Sequence, residues 1–308
     1  MSTVVVTGGA GFVGSHVAEL FRDRGHEVTV VDDLSSGKRE NVPEGCRLVE
    51  LDITDAAGVH RAIDGAAFVC HLAAQASVTV SVKEPDRDLA INVAGTLNVC
   101  TAAAAAGAPM VFASTGGALY GDDAPIPTPE TSATEPLAPY GASKLAGEAY
   151  VATWSRLHDV GNVVLRLGNV YGPRQSFDGE AGVVAIFSHC LLHGQPPTVY
   201  GDGTQTRDYV FVGDVARAFL LACESGRAGT YNVGTGAGSS VLELLDSLER
   251  AAGVTAERRF EPLRKGELRA SALDAARIRD ELGWEPTVGL DDGLAQTFAW
   301  YRVSDSAA

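Results

Sequence analysis

Three features of this 308-residue sequence predict an α/β fold, a doubly wound parallel sheet followed by a smaller C-terminal mixed α/β lobe. Short β-branched runs alternate with amphipathic segments through the first half. A glycine-rich turn follows the first run, and an acid closes the second. Alternation of this kind builds a parallel sheet covered by helices on both faces.

The strand candidates run in order: "TVVVTG", "HEVTVVDD", "CRLVELD", "AAFVCHLAA", "PMVFAST" and "VVLRLGNV". Each is a short apolar stretch bounded by turn residues. Helical patterns lie between them, for example at 16–24 and 92–106. From about residue 175 the pattern loosens, and "HGQPPTVYGDGTQTRDYVFV" mixes Gly, Pro and short apolar runs. Helix signals return at "VLELLDSLERAAG" and "GLAQTFAWYR". Residues 1–174 are expected to form mainly the sheet domain and 175–308 mainly the smaller lobe, with some segments returning to the first. No internal repeat or low-complexity linker is visible.

The chain is 45% hydrophobic, enough for a sizeable core. It carries 39 acids against 24 bases, a formal net charge of −15, which argues against binding nucleic acid through its phosphates. A salty host cytoplasm and a general solubility effect account for the acidity equally well. Cys46, Cys70, Cys100, Cys190 and Cys223 form no CxxC and read as thiols in a reducing cytosol. "MSTVVVTGG" lacks the features of a signal peptide, and the alanine run at 102–106 is too short to span a membrane. A cytoplasmic protein without membrane association or a metal site is expected.

"VVVTGGAGFVGSH" places Gly8, Gly11 and Gly14 directly after a strand and into a helix opened by Phe12 and Val13. The first glycine permits a tight turn, the second lets a pyrophosphate approach the backbone, and the third allows close helix–strand packing. The helix N-terminus adds amide donors. Alone the pattern is weak; with the strand before it and an acid ending the next strand, it predicts a Rossmann-type dinucleotide site. That acid is Asp32, in "VVDDLSSG". Its carboxylate suits the ribose hydroxyls and repels a 2′-phosphate, which favours NAD over NADP. Asp33, Leu34, Ser36 and Gly37 form the rest of this cofactor loop, and Lys38 and Arg39 read as solvated charges. Asp52 and Ile53, in "LDITD", end the third strand, where an acid reaches the adenine edge or is only a turn residue.

"PYGASKLAGE" sets Tyr140 and Lys144 four apart, one turn apart on one helix face. A tyrosine titrates far above neutral pH in water. A nearby ammonium and a positive nicotinamide ring favour its phenolate, a general base for a sugar hydroxyl. A packing tyrosine beside a solvent lysine is the bland alternative.

These stretches, with "HLAAQASV", "NVAGTLNV", "ASTGGALYG", "RLGNVYGPRQ", "YGDGTQTRDYVFVGDVARA", "YNVGTG" and "ELGWEP", carry a resemblance over residues 4–297. The chain resembles the extended short-chain dehydrogenase/reductase family, and within it the nucleotide-sugar epimerases of the UDP-glucose 4-epimerase type. The resemblance implies NAD as cofactor, a UDP-sugar substrate held by the C-terminal lobe, and a homodimer built through the Tyr–Lys helix. It implies that Leu72, Ala73 and Ala74 line the cofactor and that Asn92 supports the active site. Asn169, Val183 and Tyr200 would meet the UDP-sugar, Arg207 and Arg264 its diphosphate, and Glu267 the uridine ribose. A guanidinium suits phosphate oxygens bidentately. Surface ion pairs with Asp208 and Glu267 are the alternative for the two arginines. Ser271 matches a position bordering the sugar C2, where a small residue leaves room for an N-acetyl group unless neighbouring loop residues fill it.

The strand end "STGGALYG" departs from the family pattern. Gly116 stands where the resemblance leads one to expect the catalytic serine. Thr115 is expected to contribute the hydroxyl and Ser114 to support it, with a water against Gly116 as the alternative. Tyr140 would act as base directly or through Thr115. Dehydratases of the family follow the threonine with Asp and Glu, and decarboxylating members with Glu; here both positions are glycine. The implied reaction is reversible hydride exchange at C4 of UDP-glucose or UDP-galactose, an isomerisation. The rivals are a UDP-glucuronate epimerase or decarboxylase, a 4-ketoreductase, and a non-catalytic NAD-binding regulator.

Overall fold

The computed structural model describes residues 1–121, 123–177, 182–263 and 268–306. Three successive valines, Val4 to Val6, are almost wholly buried in β1 (Thr3–Thr7), as a central parallel strand requires. The chain continues through α1 (Phe12–Asp23), β2 (Glu27–Asp32), β3 (Arg47–Glu50), α2 (Ala56–Ile63) and β4 (Phe68–His71). Short helices α3 (Val78–Lys83) and α4 (Pro85–Leu89) precede α5 (Thr96–Ala105), β5 (Met110–Thr115), α6 (Pro139–His158) and β6 (Val163–Leu167). The helix expected from residue 92 differs in its first turn: residues 90–95 form a π-turn that contains Asn92. Such bulges re-aim side chains and collect at functional sites.

The second half holds β7 (Asn169–Tyr171), α7 (Val183–Leu192), β8 (Thr198–Tyr200), β9 (Thr206–Arg207), β10 (Tyr209–Phe211) and α8 (Val212–Glu224). It ends with β11 (Gly229–Val233), β12 (Ser239–Ser240), α9 (Val241–Ala252), β13 (Arg259–Glu261), α10 (Ala276–Leu282) and α11 (Leu290–Ser306).

Seven strands form one parallel sheet in the order β11-β6-β5-β4-β1-β2-β3. The order reverses between β1 and β4, and ligands of such sheets bind outside the carboxyl ends at that switch. Val17, Phe21, Val215 and Phe219 from α1 and α8 fill one face; Val59, Val99, Cys100 and Val151 from α2, α5 and α6 fill the other. A third apolar cluster joins α7, α9 and α11 over β7 and β10. Elements from beyond residue 175 return to the sheet: β11 is its edge strand, α8 packs on α1, and α10 packs on β11.

Local signals explain the helix ends. α6 opens on Pro139, whose missing N–H would have no helical partner there anyway. α9 starts with a reciprocal Ser240–Glu243 capping box and stops at Gly253 in a left-handed turn. Among the described residues no helix is long and apolar enough to cross a membrane, and no three His, Cys, Asp or Glu side chains are placed to hold a metal ion.

Candidate active site

The glycine turn is a main-chain cradle. Gly8 has φ +70°, and a Cβ there would lie 2.6 Å from the Ala73 nitrogen. A Cβ at Gly14 would overlap the Gly8 carbonyl. The Leu72 and Ala73 amides bond to the backbone oxygen and the hydroxyl of Thr7, which seats residues 72–74 against the turn. α1 begins at Gly11 with no side-chain cap and no acid in its first turn, so its amides are open to an anion.

Asp32 ends β2 and is 7% exposed. Its carboxylate accepts from the amides of Ala10 and Leu34, both at 2.9 Å, and Gly37 passes too close to it to carry a Cβ. Burial pushes the carboxyl up from its ordinary value while the two amides pull it down. Asp33 and Ser36 lie outside this contact on the exposed loop, where Asp33 caps Ser35. Asp52 is exposed and accepts from the Thr54 amide at 2.8 Å, an Asx turn, while Ile53 is buried under Gly95. A bare turn, open helix amides and a strand-end carboxylate fit a dinucleotide.

Tyr140 and Lys144 rise from the first turns of α6, beside the carboxyl end of β5. The Thr115 side chain lies close enough to the Tyr140 phenol to favour its ionised form. Burial and the negative charge of Asp88 push its phenol up to about 12, against a smaller downward pull from Thr115. Lys144 is buried, donates to the Ala113 carbonyl at 3.0 Å and sits 4.8 Å above the Phe112 ring. Burial lowers its ammonium to about 8, and the charges of Asp88 and Glu148 hold it up. At neutral pH the pair is therefore a phenol beside an ammonium. Burial and Asp88 together keep the tyrosine protonated.

Ser114 points away from this pair. Its hydroxyl donates to Glu148 at 2.5 Å, and Glu148 is clamped by Arg166 at 2.7 Å. Arg166 also reaches the Tyr120 hydroxyl, which donates to Asn232. Strand β6 thus carries a buried guanidinium whose charge and donors are met on both sides. Replacing one partner of such a pair costs about 3–5 kcal/mol. Ser114 belongs to this brace and Thr115 to the open side of the strand end.

A second brace holds Asn92. Its side-chain amide donates to the Gln75 carbonyl, Asp88 and the Ser143 hydroxyl, and its oxygen accepts from the Gln75 amide. Asp88 is 1% exposed and also takes the Gln75 side chain at 2.9 Å. His71, fully buried, links this brace to the glycine turn. Thr96 donates to the Asn92 carbonyl, so it accepts from His71 Nε2. Nδ1 then accepts from Thr7, which accepts from Ala73. Burial, aided by the Lys144 charge, lowers His71 to about 3 and keeps it neutral.

The residues expected to meet the sugar lie on distant segments. Asn169 is exposed at the start of β7, Val183 opens α7, and Tyr200 ends β8. Arg207 lies on β9 and donates to the Thr206 carbonyl. Asp208 is not available as a surface ion-pair partner. Its carboxylate accepts from the Thr235 amide and hydroxyl, the Gly236 amide and the Leu273 amide. Ser271 lines a cavity of about 20 Å³ with Gly116, Gly117, Thr128 and Leu273. Arg264 and Glu267 lie outside the described residues.

Sequence reasoning missed Asp88, Glu148, Arg166, His71 and Leu273. Arg166 had a readable signal: a single charge inside the apolar run "VVLRLG" must find a buried partner. Asp88, in the helical stretch "EPDRDL", had none that separates it from surface acids.

A model of the NAD dependent epimerase/dehydratase family matches residues 4–234. A UDP-glucose 4-epimerase of Mycolicibacterium smegmatis is 43% identical, with 97% of this chain and 98% of that protein covered. The crystal structure of a UDP-glucose 4-epimerase with UDP-glucose from Thermotoga maritima superposes with a TM-score of 0.95 at 44% identity, covering 98% of this chain and 99% of that one. That of a Thermus thermophilus UDP-glucose 4-epimerase in complex with NAD gives 0.90 at 45% identity, covering 97% and 99%. The match over most of the chain and the glycine turn, Asp32 and the Tyr140–Lys144 pair agree: this chain belongs to the NAD dependent epimerase/dehydratase family.

Proposed function

We propose that this protein is a UDP-hexose 4-epimerase that interconverts UDP-glucose and UDP-galactose and keeps NAD in its site. The observation that carries the reading is the strand end. Thr115 lies by the Tyr140 phenol there, and Gly116 and Gly117 follow where a dehydratase or decarboxylase would place carboxylates. With no acid–base pair for elimination, proton transfer at one hydroxyl remains.

Bound NAD supplies a reversible hydride acceptor at C4, so oxidation to a 4-keto sugar and reduction from the other face need no outside redox partner. Gly8, Gly11, Phe12, Val13 and Asp32 hold it, and residues 72–74 close its path. Tyr140 takes the O4 proton, directly or through Thr115, and returns it after the keto sugar has turned over. Its phenol is up at about 12 in the protein alone. With the cofactor's positive charge bound nearby, Asp88 would be offset and the Tyr140 phenolate would come within reach. Lys144 steadies that anion and holds the cofactor ribose. Arg207, with Arg264 and Glu267, anchors the UDP while the sugar rotates, so binding energy is drawn from a part of the substrate that does not react.

The small Ser271 side chain leaves room beside C2, and the N-acetylhexosamine pair is read as a further substrate. The protein is read as a cytoplasmic homodimer. Support comes from exposed apolar side chains on adjoining helices, Val82 on α3, Leu89 on α4, and Tyr150 and Leu157 on α6.

The test is incubation with UDP-galactose without reductant, followed through the anomeric protons by NMR. UDP-glucose should accumulate to an equilibrium mixture. Absence of conversion by NAD-loaded protein would overturn the reading.

A further inference from the structure

β5, β6 and β11 are neighbours in the sheet, and each is followed at once by a glycine: Gly116, Gly168 and Gly234. The register sets Thr115 beside Leu167 and Leu167 beside Val233. The Gly116 amide donates to the Leu167 carbonyl at 2.7 Å and the Gly168 amide to the Val233 carbonyl at 2.9 Å, so the three glycines form one row.

Leu273, 3% exposed, sits on that row. A Cβ at Gly116 would overlap its Cδ1 and lie 2.7 Å from its Cδ2. A Cβ at Gly234 would lie 3.0 Å from the Leu273 Cβ, and one at Gly168 3.7 Å from Cδ1. The leucine cannot retreat as a unit, because its backbone is tied on both sides. Its amide donates to Asp208 at 3.1 Å, the Thr128 amide to the Ala272 carbonyl at 2.8 Å, and the Asp274 amide to the Thr128 carbonyl at 2.9 Å. The adjoining cavity of about 20 Å³ has room for about one water, less than a displaced leucine side chain needs.

We propose that Leu273 is the positioning residue that assigns the reacting hydroxyl to Thr115: it fills the place of any side chain at position 116. Resting on the epimerase reading, this explains why the strand end carries "TGG". Of its two remaining hydroxyls, Ser114 is bound to Glu148, which leaves Thr115, the last residue of β5, on the side of the Tyr140 phenol. The hydroxyl and the leucine are therefore exchangeable as a set. Shortening Leu273 opens position 116 to a serine that can take over from Thr115.

The experiment measures kcat and KM for UDP-galactose, bound NAD and thermal midpoint across a variant series. Thr115→Val should lower kcat about 100-fold, the scale of a lost proton-transfer partner, with KM and bound NAD near the parent values. Thr115→Ser should stay within about threefold of the parent by the same measure of a retained proton path. Gly116→Ser should lose thermal stability, and adding Leu273→Ala should restore part of it. The triple variant Thr115→Val/Gly116→Ser/Leu273→Ala should exceed Thr115→Val in kcat by about tenfold or more. A merely structural leucine would give no such rescue. A triple variant that binds NAD but is no faster than Thr115→Val overturns the proposal, as does a Thr115→Val enzyme with parental kcat. Failure of the parent to convert UDP-galactose overturns the epimerase reading instead, and the catalytic assignment with it.

Discussion

The two ends of the site are built by different means. The end that fits the cofactor is made almost wholly of main chain: a glycine-rich turn, open helix amides, and one carboxylate fixed by two backbone amides. The end proposed to meet the sugar depends on side chains from separate elements, Thr115 on β5, Tyr140 and Lys144 on α6, Arg207 on β9 and the segment around Leu273. Main-chain geometry fails when a single Cβ is added. Side-chain geometry fails when a single functional atom is removed. The first kind of site couples binding to folding, whereas the second couples rate to chemistry and leaves folding largely alone.

Tyr140→Phe is the most severe test of that contrast. It removes one oxygen at the sugar end and should lower kcat by about 10³-fold or more. Bound NAD and the thermal midpoint should stay near the parent values. A comparable loss of stability would break the distinction, since the tyrosine would then be holding the fold. Gly8→Ala probes the other end. An L residue at φ +70° costs about 1–2 kcal/mol, and its Cβ would press on the Ala73 nitrogen. Denaturant unfolding should show a loss of at least about 2 kcal/mol together with weakened NAD binding. A stable, cofactor-free Gly8→Ala protein would separate binding from folding and refute the coupling.

The same contrast explains what was readable in the sequence. The glycine turn, Asp32 and the Tyr140–Lys144 spacing are local patterns, and local patterns are legible because the chain sets them within a few residues. The seven-stranded parallel sheet was legible in the first six strands for the same reason. Its edge strand β11 was not, because "TYNV" has no flanking periodicity and joins the sheet only through pairing with β6. At the strand end the sequence displayed a missing serine without its cause. The cause is Leu273, which becomes a neighbour of Gly116 only once β5, β6 and β11 are in register and Asp208 has fixed the segment between Ala272 and Asp274. The π-turn at Asn92 was hidden because a helix pattern does not record one inserted residue. The Glu148–Arg166 pair and the Asn92–Asp88 brace are long-range in the same sense: their members read singly as ordinary polar residues.

His71 joins the two ends, and it offers the gentlest way to sharpen the comparison. It runs an unbroken hydrogen-bond chain from Ala73 at the cofactor end to Asn92 at the sugar end. The chain requires a neutral ring, because Nδ1 must accept while Nε2 donates. The ring's folded value is about 3 against an ordinary 6.5. Between those values the unfolded chain binds a proton that the folded chain refuses, so acid favours unfolding. The contribution of His71 is fully present above pH 6.5 and is lost as pH falls from there toward 3. The slope it adds is at most about 1.4 kcal/mol per pH unit. His71→Gln keeps an acceptor and a donor but cannot titrate. Urea unfolding from pH 7 to pH 4 should therefore show a shallower loss in the variant than in the parent, since acids that titrate elsewhere act on both alike. Parallel curves would mean that the ring accepts its proton in place, breaks the Thr7 hydrogen bond without consequence, and so does not tie the cofactor end to the sugar end.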